Sequence, residues 1–282
     1  MTYRDRFIVK PGSHTRLADI DPAFHGKHES HEKALPELED TVANITRLQQ
    51  LLYAEGKHAL LIVLQGIDTA GKDGVCWHVI RAMNPQGCAV SGFKQPTPVE
   101  RDHDFLWRVH PKVPGRGQVA VFNRSHYEDV LVVRVHDLVP KSVWSKRYDA
   151  INQFETLLVE SGVTIIKFFL YISKDEQLRR FGKRLNDPDR QWKISEADYT
   201  ERQYWDAYVE AYEAMLSKCS THHAPWYVIP SNHKWFRNLA AAQIINETMQ
   251  AMDPKAPKPT VDIAEIRQKY HQDLTASCKT VG

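Results

Sequence analysis

The feature that most constrains this chain is a short apolar run that leads directly into a glycine-rich loop. Residues 59–64 read Ala-Leu-Leu-Ile-Val-Leu, and after a single Gln the loop from Gly66 to Gly74 reads Gly-Ile-Asp-Thr-Ala-Gly-Lys-Asp-Gly. A continuous apolar run of this length is typical of a strand buried on both faces of a parallel sheet. The sequence therefore predicts a strand, a tight loop and then a helix over 72–83.

The loop has the Gly-x4-Gly-Lys spacing of a phosphate-binding P-loop, formed by Gly66, Gly71 and Lys72. Glycine lets the backbone turn so that successive N–H groups point into one concavity, and the following helix adds partial positive charge. Lys72 would supply a full charge to the outer phosphates. The loop residues expected to surround bound phosphate are Gly66, Thr69, Ala70, Gly71, Asp73 and Gly74.

Two acids distinguish this loop from the common P-loop. Asp73 stands where a Ser or Thr hydroxyl usually holds Mg²⁺, and Asp68 lies inside the loop. Carboxylates beside a phosphate repel it unless a cation lies between them. The pattern therefore predicts Mg²⁺, with Mn²⁺ as a second candidate, on the side of Asp68. The alternative is a glycine-rich turn that binds no ligand.

The rest of the chain alternates between short apolar runs and helical patterns. Further strands are predicted at 88–91, 119–122, 164–172 and 226–229. Helices are predicted at 30–55, 98–109, 142–161, 174–186, 195–218 and 234–252. Strands that alternate with helices are typical of an α/β fold with a largely parallel sheet.

The segments outside this alternation suggest a simple domain organisation. We expect an irregular N-terminal segment (1–30), one domain (31–252) and a Pro-rich C-terminal tail (253–282). Four histidines lie in or just after the first segment: His14, His25, His28 and His31. They could form a metal site, but scattered surface histidines are favoured because ligand spacing is missing.

Composition excludes several classes of protein. The net charge is only +2, so the chain is not a basic nucleic-acid binder, and an anion site must come from local clustering of Lys and Arg. The apolar runs are too short to span a bilayer, and residues 1–11 lack the apolar core of a signal peptide. None of the four cysteines forms a CxxC pair. A cytoplasmic protein that binds neither nucleic acid nor membrane is expected.

A second polar segment, Asn123 to Asp129, follows the predicted strand at 119–122. The planar guanidinium of Arg124 could bind two phosphate oxygens at once, or it could form an ion pair with Glu128 or Asp129. The two acids could contact nucleotide or metal, or they could be acids at the start of a helix. Asn123 and these charged residues are candidates for the site.

The strongest basic cluster follows the fourth predicted strand. It comprises Arg179, Arg180, Lys183, Arg184, Arg190 and Lys193. Residues four apart form ridges on a helix, and such a run is usually a solvated face. Here the run contains Gly182 and is followed by the turn-forming residues 186–189, which favours a lid that closes over phosphate.

Taken together, four segments resemble the polyphosphate kinase 2 family. They are Gly66–Gly74, Gly92–Glu100, Phe122–Val130 and Arg179–Arg184, and the similarity runs from about residue 30 to 250. The resemblance implies an α/β, P-loop kinase-like three-layer fold with a central, largely parallel five-stranded sheet and a helical lid at about 175–195. It also implies a homo-oligomer, either a dimer or a tetramer.

The activity implied by the resemblance is reversible, Mg-dependent, in-line transfer of phosphate from inorganic polyphosphate to adenine nucleotides. The segment from Asn123 is similar to members that phosphorylate both AMP and ADP, rather than to those with Trp-Tyr-Asn-Arg-Ala-Gly here. Catalytic roles are expected for Asp68, Lys72, Arg124 and Arg184. Phosphate or nucleotide contacts are expected for Lys94, Asn123, Glu128, Asp129, Arg179, Arg180 and Lys183. Asp198 matches an acid of the family that holds metal, together with Asp68.

Two other functions remain open. An ATP-dependent nucleotide kinase of the thymidylate type would share the fold and the loop but would take phosphate from ATP. A nucleotide-binding module without turnover would also use the loop, although a passive binder gains little from the paired acids Asp68 and Asp73. An assay with each donor distinguishes the three.

Overall fold

Five parallel strands form the centre of the molecule. The computed structural model describes the backbone of residues 2–279 and the side chains of residues 2–274. In this part of the chain the strands are β1 Ala59–Gln65, β2 Cys88–Gly92, β3 Val119–Asn123, β4 Val163–Tyr171 and β5 Trp226–Pro230. All pairings are parallel, in the order β2-β3-β1-β4-β5. The prediction of an α/β fold with a five-stranded parallel sheet is confirmed.

Helices connect the strands and cover both faces of the sheet. The α-helices are α1 Tyr3–Phe7, α2 His31–Glu55, α3 Lys72–His78, α4 Pro98–Arg101, α5 Val132–Val135, α6 Lys141–Glu160, α7 Lys174–Leu185, α8 Glu196–Arg202, α9 Trp205–Cys219, α10 Lys234–Met252 and α11 Ile263–Lys279. Short 3-10 turns lie at Leu17–Asp19, Ile80–Ala82, His110–Lys112, His126–Val130 and Pro188–Lys193.

The burial of β1 explains the three-layer arrangement. All seven residues of β1 are buried, because the strand lies between β3 and β4 and has helices on both faces. Leu60 and Ile62 pack in the layer that contains α2, α3 and α10. Leu61 and Val63 point to the other side, into the layer of α6 and α9. The loop after β1 therefore begins at a rigid, fully packed strand.

Several predicted helices are shorter in the structure. The helix expected at 98–109 is the single turn α4, and the helix expected at 72–83 ends at His78 and continues as a 3-10 turn. The helix expected at 195–218 is divided into α8 and α9. No residue of α8 is buried, whereas α9 begins with the buried Trp205, so the core holds only the second part.

The N-terminal segment was expected to be irregular, and this is wrong for part of it. Thr2 and Asp5 form a capping box that starts α1, which is too short to give a periodic apolar pattern. Ile8 then forms an antiparallel bridge with Tyr227, and the Val9 amide donates to the Trp226 carbonyl at 2.8 Å. The segment therefore covers the edge strand β5, which would otherwise present unpaired backbone groups.

The C-terminal segment contains a helix that the sequence analysis did not predict. After α10 ends at Met252, a proline-rich stretch leads to α11, and the described side chains between 255 and 274 are exposed. Residues 280–282 of the predicted tail lie outside the described residues. None of the helices within residues 2–279 combines the length and apolar character needed to cross a membrane.

A buried ion pair lies under the carboxyl end of the sheet, on the α6 side. The Lys167 ammonium donates to Glu155 Oε2 at 2.5 Å, to the Tyr127 hydroxyl at 2.8 Å and to the Cys219 carbonyl at 2.7 Å. Glu155 also accepts from the Tyr127 hydroxyl at 2.8 Å, and His126 Nε2 lies 3.3 Å from it. All three donors of the ammonium are therefore used, which offsets the cost of burying the charge.

We expect Lys167→Met to lower the free energy of unfolding by about 3–5 kcal/mol, because Glu155 is left charged, buried and without a cation. Equilibrium unfolding in denaturant measures the loss. The double variant Lys167→Met/Glu155→Gln should recover part of it. If the double variant is as unstable as the single one, packing rather than charge explains the loss.

Candidate active site

An open cleft of about 1070 Å³ lies at the carboxyl ends of β1 and β3, beside the glycine-rich loop. In parallel α/β sheets, ligands bind outside these strand ends where the strand order reverses. The cations that line the cleft are Lys72, Lys94, Arg124, Arg180, Lys183, Arg184, Arg190, Lys193, Lys234 and Arg237. The acids that line it are Asp68, Asp73 and Asp198. Ten cations against three acids suit a strongly anionic ligand.

Lys72 lies at the centre of the loop. Its side chain is buried, and its ammonium donates to the Gly66 carbonyl at 2.6 Å. Burial lowers the pKa of Lys72, and the nearby charge of Asp68 acts in the opposite direction. The loop turns through left-handed backbone at Thr69 and Gly71, with φ of 68° and 108°. The amine is therefore held by the loop itself and faces the cleft.

Arg180 holds the loop from below. Its Nη1 donates to the Thr69 carbonyl at 2.6 Å and to the Ala70 carbonyl at 3.1 Å. Its Nη2 donates to the Ser231 carbonyl, and Nε donates to Glu176 Oε1 at 2.6 Å. The side chain is 4% exposed. The structure therefore places Arg180 beneath the loop, whereas the sequence suggested an open position on the lid.

Arg237, which the sequence analysis missed, supports the same loop. Its guanidinium lies against Gly71 and Gly74, where an added Cβ atom would overlap it. Its hydrogen bonds go to two neutral groups, the Ala70 carbonyl at 3.3 Å and Asn238 Oδ1 at 2.8 Å. Burial, and then the charge of Arg180, lower the pKa of Arg237 to about 9. A buried cation with neutral partners beside a cleft favours anion binding.

Asp68 and Arg124, two of the predicted site residues, form an ion pair with each other. Arg124 Nη2 lies 3.0 Å from Asp68 Oδ1, and Arg124 has a left-handed backbone with φ of 65°. Next to this pair, Asn123 Nδ2 donates to Asp73 Oδ1 at 2.8 Å. The structure therefore joins the loop after β1 to the loop after β3 through two side-chain contacts at the floor of the cleft.

The residues after Arg124 fix its backbone rather than line the cleft. Ser125 Oγ lies 3.0 Å from the Gln65 amide, and His126 and Tyr127 join the buried Glu155 network. Three consecutive side chains of this segment are thus anchored in the core. This anchoring explains how a non-glycine residue is held in left-handed backbone, which costs free energy.

The two acids that follow have different environments. Asp129 Oδ1 accepts from Arg147 at 2.7 Å and does not line the cleft. Burial raises the pKa of Asp129 to about 6, although Arg147 acts to lower it. Glu128 does not line the cleft either. Burial raises the pKa of Glu128, whereas the charges of Arg124 and then Lys72 act to lower it. The ion pair of Arg124 is therefore with Asp68, and that of Asp129 is with Arg147.

The lid segment, residues 175–195, supplies cations to one wall of the cleft. Lys183 and Arg184 line it, and Arg184 Nη1 donates to the Lys193 carbonyl at 3.0 Å. Arg179 does not line it, because its guanidinium binds Glu176 with two contacts of 2.6 Å. Gly182, which the sequence suggested as part of a hinge, lies inside α7.

The remaining predicted site residues lie at the rim. Lys94 is exposed and lines the cleft on the β2 side. Asp198 lines it from α8, where its Oδ2 accepts from the Ser195 amide at 2.8 Å. Two of the residues predicted to contact phosphate, Arg179 and Asp129, do not line the cleft and bind other side chains instead.

The carboxylates of the cleft are suitable donors for a divalent cation. Among the described side chains, those of residues 2–274, no group of three or more His, Cys, Asp or Glu could hold a metal alone. Mg²⁺, however, usually takes one or two carboxylates and completes its shell with water and substrate phosphate oxygens. Asp68, Asp73 and Asp198 therefore fit a cation that arrives with a phosphate ligand.

The family model for polyphosphate kinase 2 matches residues 28–257. The chain belongs to the polyphosphate kinase 2 family. It is 46% identical to the AMP/ADP-polyphosphate phosphotransferase of Meiothermus ruber, over 90% of this chain and 96% of that protein. It is also 46% identical to the ADP-polyphosphate phosphotransferase of Rhodopseudomonas palustris, over 89% and 91%. These matches confirm the resemblance drawn from the four sequence segments.

The fold agrees with an experimental structure of this family. The crystal structure of polyphosphate kinase 2 from Arthrobacter aurescens TC1 superposes with a TM-score of 0.92 at 41% identity, covering 96% of this chain and 97% of that one. The two proteins therefore share one fold over nearly their whole length.

The close contact of Arg237 with the loop glycines gives a stability prediction. Gly74→Ala should lower the free energy of unfolding by about 1–3 kcal/mol, because the added methyl must displace the guanidinium. Gly182→Ala is the matched control: it also lies in a helix, but its added methyl would meet open space. That variant should be more stable by about 0.5–1 kcal/mol. Denaturant unfolding of both variants tests this, and an equally stabilised Gly74→Ala would contradict it.

Proposed function

We propose that this protein is a polyphosphate:nucleotide phosphotransferase that converts AMP to ADP and ADP to ATP in a reversible reaction. The observation that carries the proposal is the cleft itself, in which ten cations surround a P-loop that contains its own acids. Both substrates are polyanions, so such an excess of positive charge is required to bring them together. Membership of the polyphosphate kinase 2 family supports polyphosphate as the donor.

The proposed reaction is a direct in-line transfer. Lys72 and the loop hold the donor and acceptor phosphates, and Arg124 with Arg184 stabilises the charge that builds on the moving group. Asp68 holds Arg124 in place and is available, with Asp198, to a divalent cation. Bound Mg²⁺ or Mn²⁺ would neutralise phosphate charge and act as a Lewis acid. The geometry requires no nucleophilic side chain, since positioning and charge neutralisation suffice.

The choice of acceptor rests on similarity. The relatives from Meiothermus ruber and Rhodopseudomonas palustris are equally identical to this chain, but only the first is named for both AMP and ADP. The segment from Asn123 to Val130 favours the activity on both nucleotides, and adenine specificity comes from the relatives alone. We also propose that the protein is a homo-oligomer and that it lies in the cytoplasm.

The donor assay is the direct test of this function. Purified protein with polyphosphate, Mg²⁺ and AMP should form ADP first and then ATP, resolved by anion-exchange chromatography. Activity with ATP but not with polyphosphate would instead support an ATP-dependent nucleotide kinase, and binding without turnover would support a nucleotide-binding module.

Lys72→Ala should lower kcat by roughly a hundredfold or more, because one preorganised charge is lost from the transition state.

The lid gives a second kinetic prediction. Arg184→Ala should reduce kcat by roughly a hundredfold if its guanidinium contacts the moving phosphate, and Arg184→Lys should restore only part of the rate. Arg179→Ala is the matched control on the same helix, because Arg179 is paired with Glu176 and does not line the cleft. The control should change kcat by less than about twofold. Equal losses in both variants would show a general effect of charge or folding on α7.

A further inference from the structure

The side chain of Gln177 joins the P-loop to α8, the helix that follows the lid segment. Gln177 lies on α7 and is 2% exposed. Its Nε2 donates to the Asp68 carbonyl at 3.2 Å, and its Oε1 accepts from Arg202 Nη1 at 2.9 Å. Arg202 is the last residue of α8, and the same nitrogen donates to the Lys174 carbonyl at 2.7 Å. Gln177 and Arg202 therefore connect the loop, α7 and α8, and we name them the loop–α8 bridge.

A carboxamide suits the centre of this bridge because it carries both a donor and an acceptor. The Asp68 carbonyl can only accept a hydrogen bond, and the Arg202 guanidinium can only donate one. A hydrocarbon side chain of the same length would leave both of these groups without Gln177 as a partner. Neither Gln177 nor Arg202 lines the cleft. The bridge therefore acts on the loop from outside the cleft.

Helix α8 depends on polar contacts of this kind for its position, because none of its residues is buried. Glu201 Oε2 accepts from the Tyr208 hydroxyl at 2.8 Å and lies 3.0 Å from His136 Nε2. These contacts join the end of α8 to α9 and α5. Arg202, the next residue, joins it to α7. Asp198 lines the cleft one helical turn earlier, so the contacts at the end of α8 determine where this carboxylate lies.

We propose that Gln177 and Arg202 are positioning residues that hold Asp198 at a fixed place relative to the P-loop. The inference rests on the proposed function, in which Asp68 and Asp198 are available to a divalent cation. Asp68 lies on the loop and Asp198 on a helix without core packing, so polar contacts must fix the distance between them. The bridge begins at the backbone of Asp68 and ends one turn after Asp198. Displacing a positioned group by about 1 Å can lower a rate by roughly a hundredfold.

Substitutions at both ends of the bridge test the proposal. The variants are Gln177→Met, Arg202→Met and the double variant, and the control is Gln203→Met, at the exposed residue directly after Arg202. Each bridge variant should lower kcat by roughly fivefold to tenfold and raise the Mg²⁺ concentration that gives half the maximal rate, while KM for AMP changes by less than about twofold. The control should keep the wild-type values. The double variant should lose no more than the slower single variant, because either change breaks the same link. Losses that multiply in the double variant, or an equal loss in the control, overturn the proposal.

Arg202→Lys separates positioning from a general loss of packing. One nitrogen of Arg202 makes both of its contacts, to Gln177 and to the Lys174 carbonyl, so an ammonium group can replace it. We expect Arg202→Lys to recover most of the kcat that Arg202→Met loses, with equal melting temperatures for the two variants. A lysine variant as slow as the methionine variant overturns the role of the bridge.

Hydrogen exchange of the ligand-free protein gives a test that does not depend on turnover. The amides of α8 should exchange roughly threefold or more faster in Gln177→Met, a change on a different helix, because the lost contact favours local opening. Unchanged exchange in this variant overturns the proposal even if the protein transfers phosphate. If exchange rises but the wild type transfers no phosphate from polyphosphate, the proposed function fails, whereas the coupling of α8 to the loop stands.

Discussion

Two buried guanidinium groups hold the phosphate loop in place, and the rest of the site depends on them. Arg180 reaches the loop from α7 and Arg237 reaches it from α10, and both donate to the Ala70 carbonyl. Burying a cation is costly unless it is well hydrogen-bonded, and Arg180 has Glu176 as a partner while Arg237 has neutral ones. The loop glycines leave the space that Arg237 occupies. The same contacts that shape the loop therefore make it positive.

A second polar network performs the corresponding task on the other face of the sheet. Lys167 and Glu155 bind Tyr127, which lies three residues after Arg124. Anchored in this way, the loop after β3 can present Arg124 to Asp68 in a backbone conformation that is otherwise unfavourable. The polar groups of Lys167, Glu155 and Tyr127 are all hydrogen-bonded, and buried groups satisfied in this way stiffen a core. The two halves of the cleft are thus fixed by two independent buried networks.

The sequence predicted the sheet and the loop well because their signals are local. β1 is a continuous apolar run, and the P-loop spacing follows it directly. The partners of the basic residues could not be predicted in this way, because they depend on elements far apart in sequence. Arg179 and Arg180 are neighbours, yet one faces Glu176 at the surface and the other supports the loop. Arg237 was missed because nothing near it in sequence indicates that α10 begins beside the loop.

The same distinction applies to the 3-10 turn and the helix that follow α7, whose positions depend more on charge than on apolar packing. The 3-10 turn at Pro188–Lys193 and helix α8 contain no buried residue, so little apolar surface holds them to the core. They line the cleft with the cations Arg190 and Lys193 and with Trp192 and Asp198. These cations repel the others across the cleft until a polyanion lies between them. A ligand rich in phosphate would reduce this repulsion between the segment and the opposite wall of the cleft.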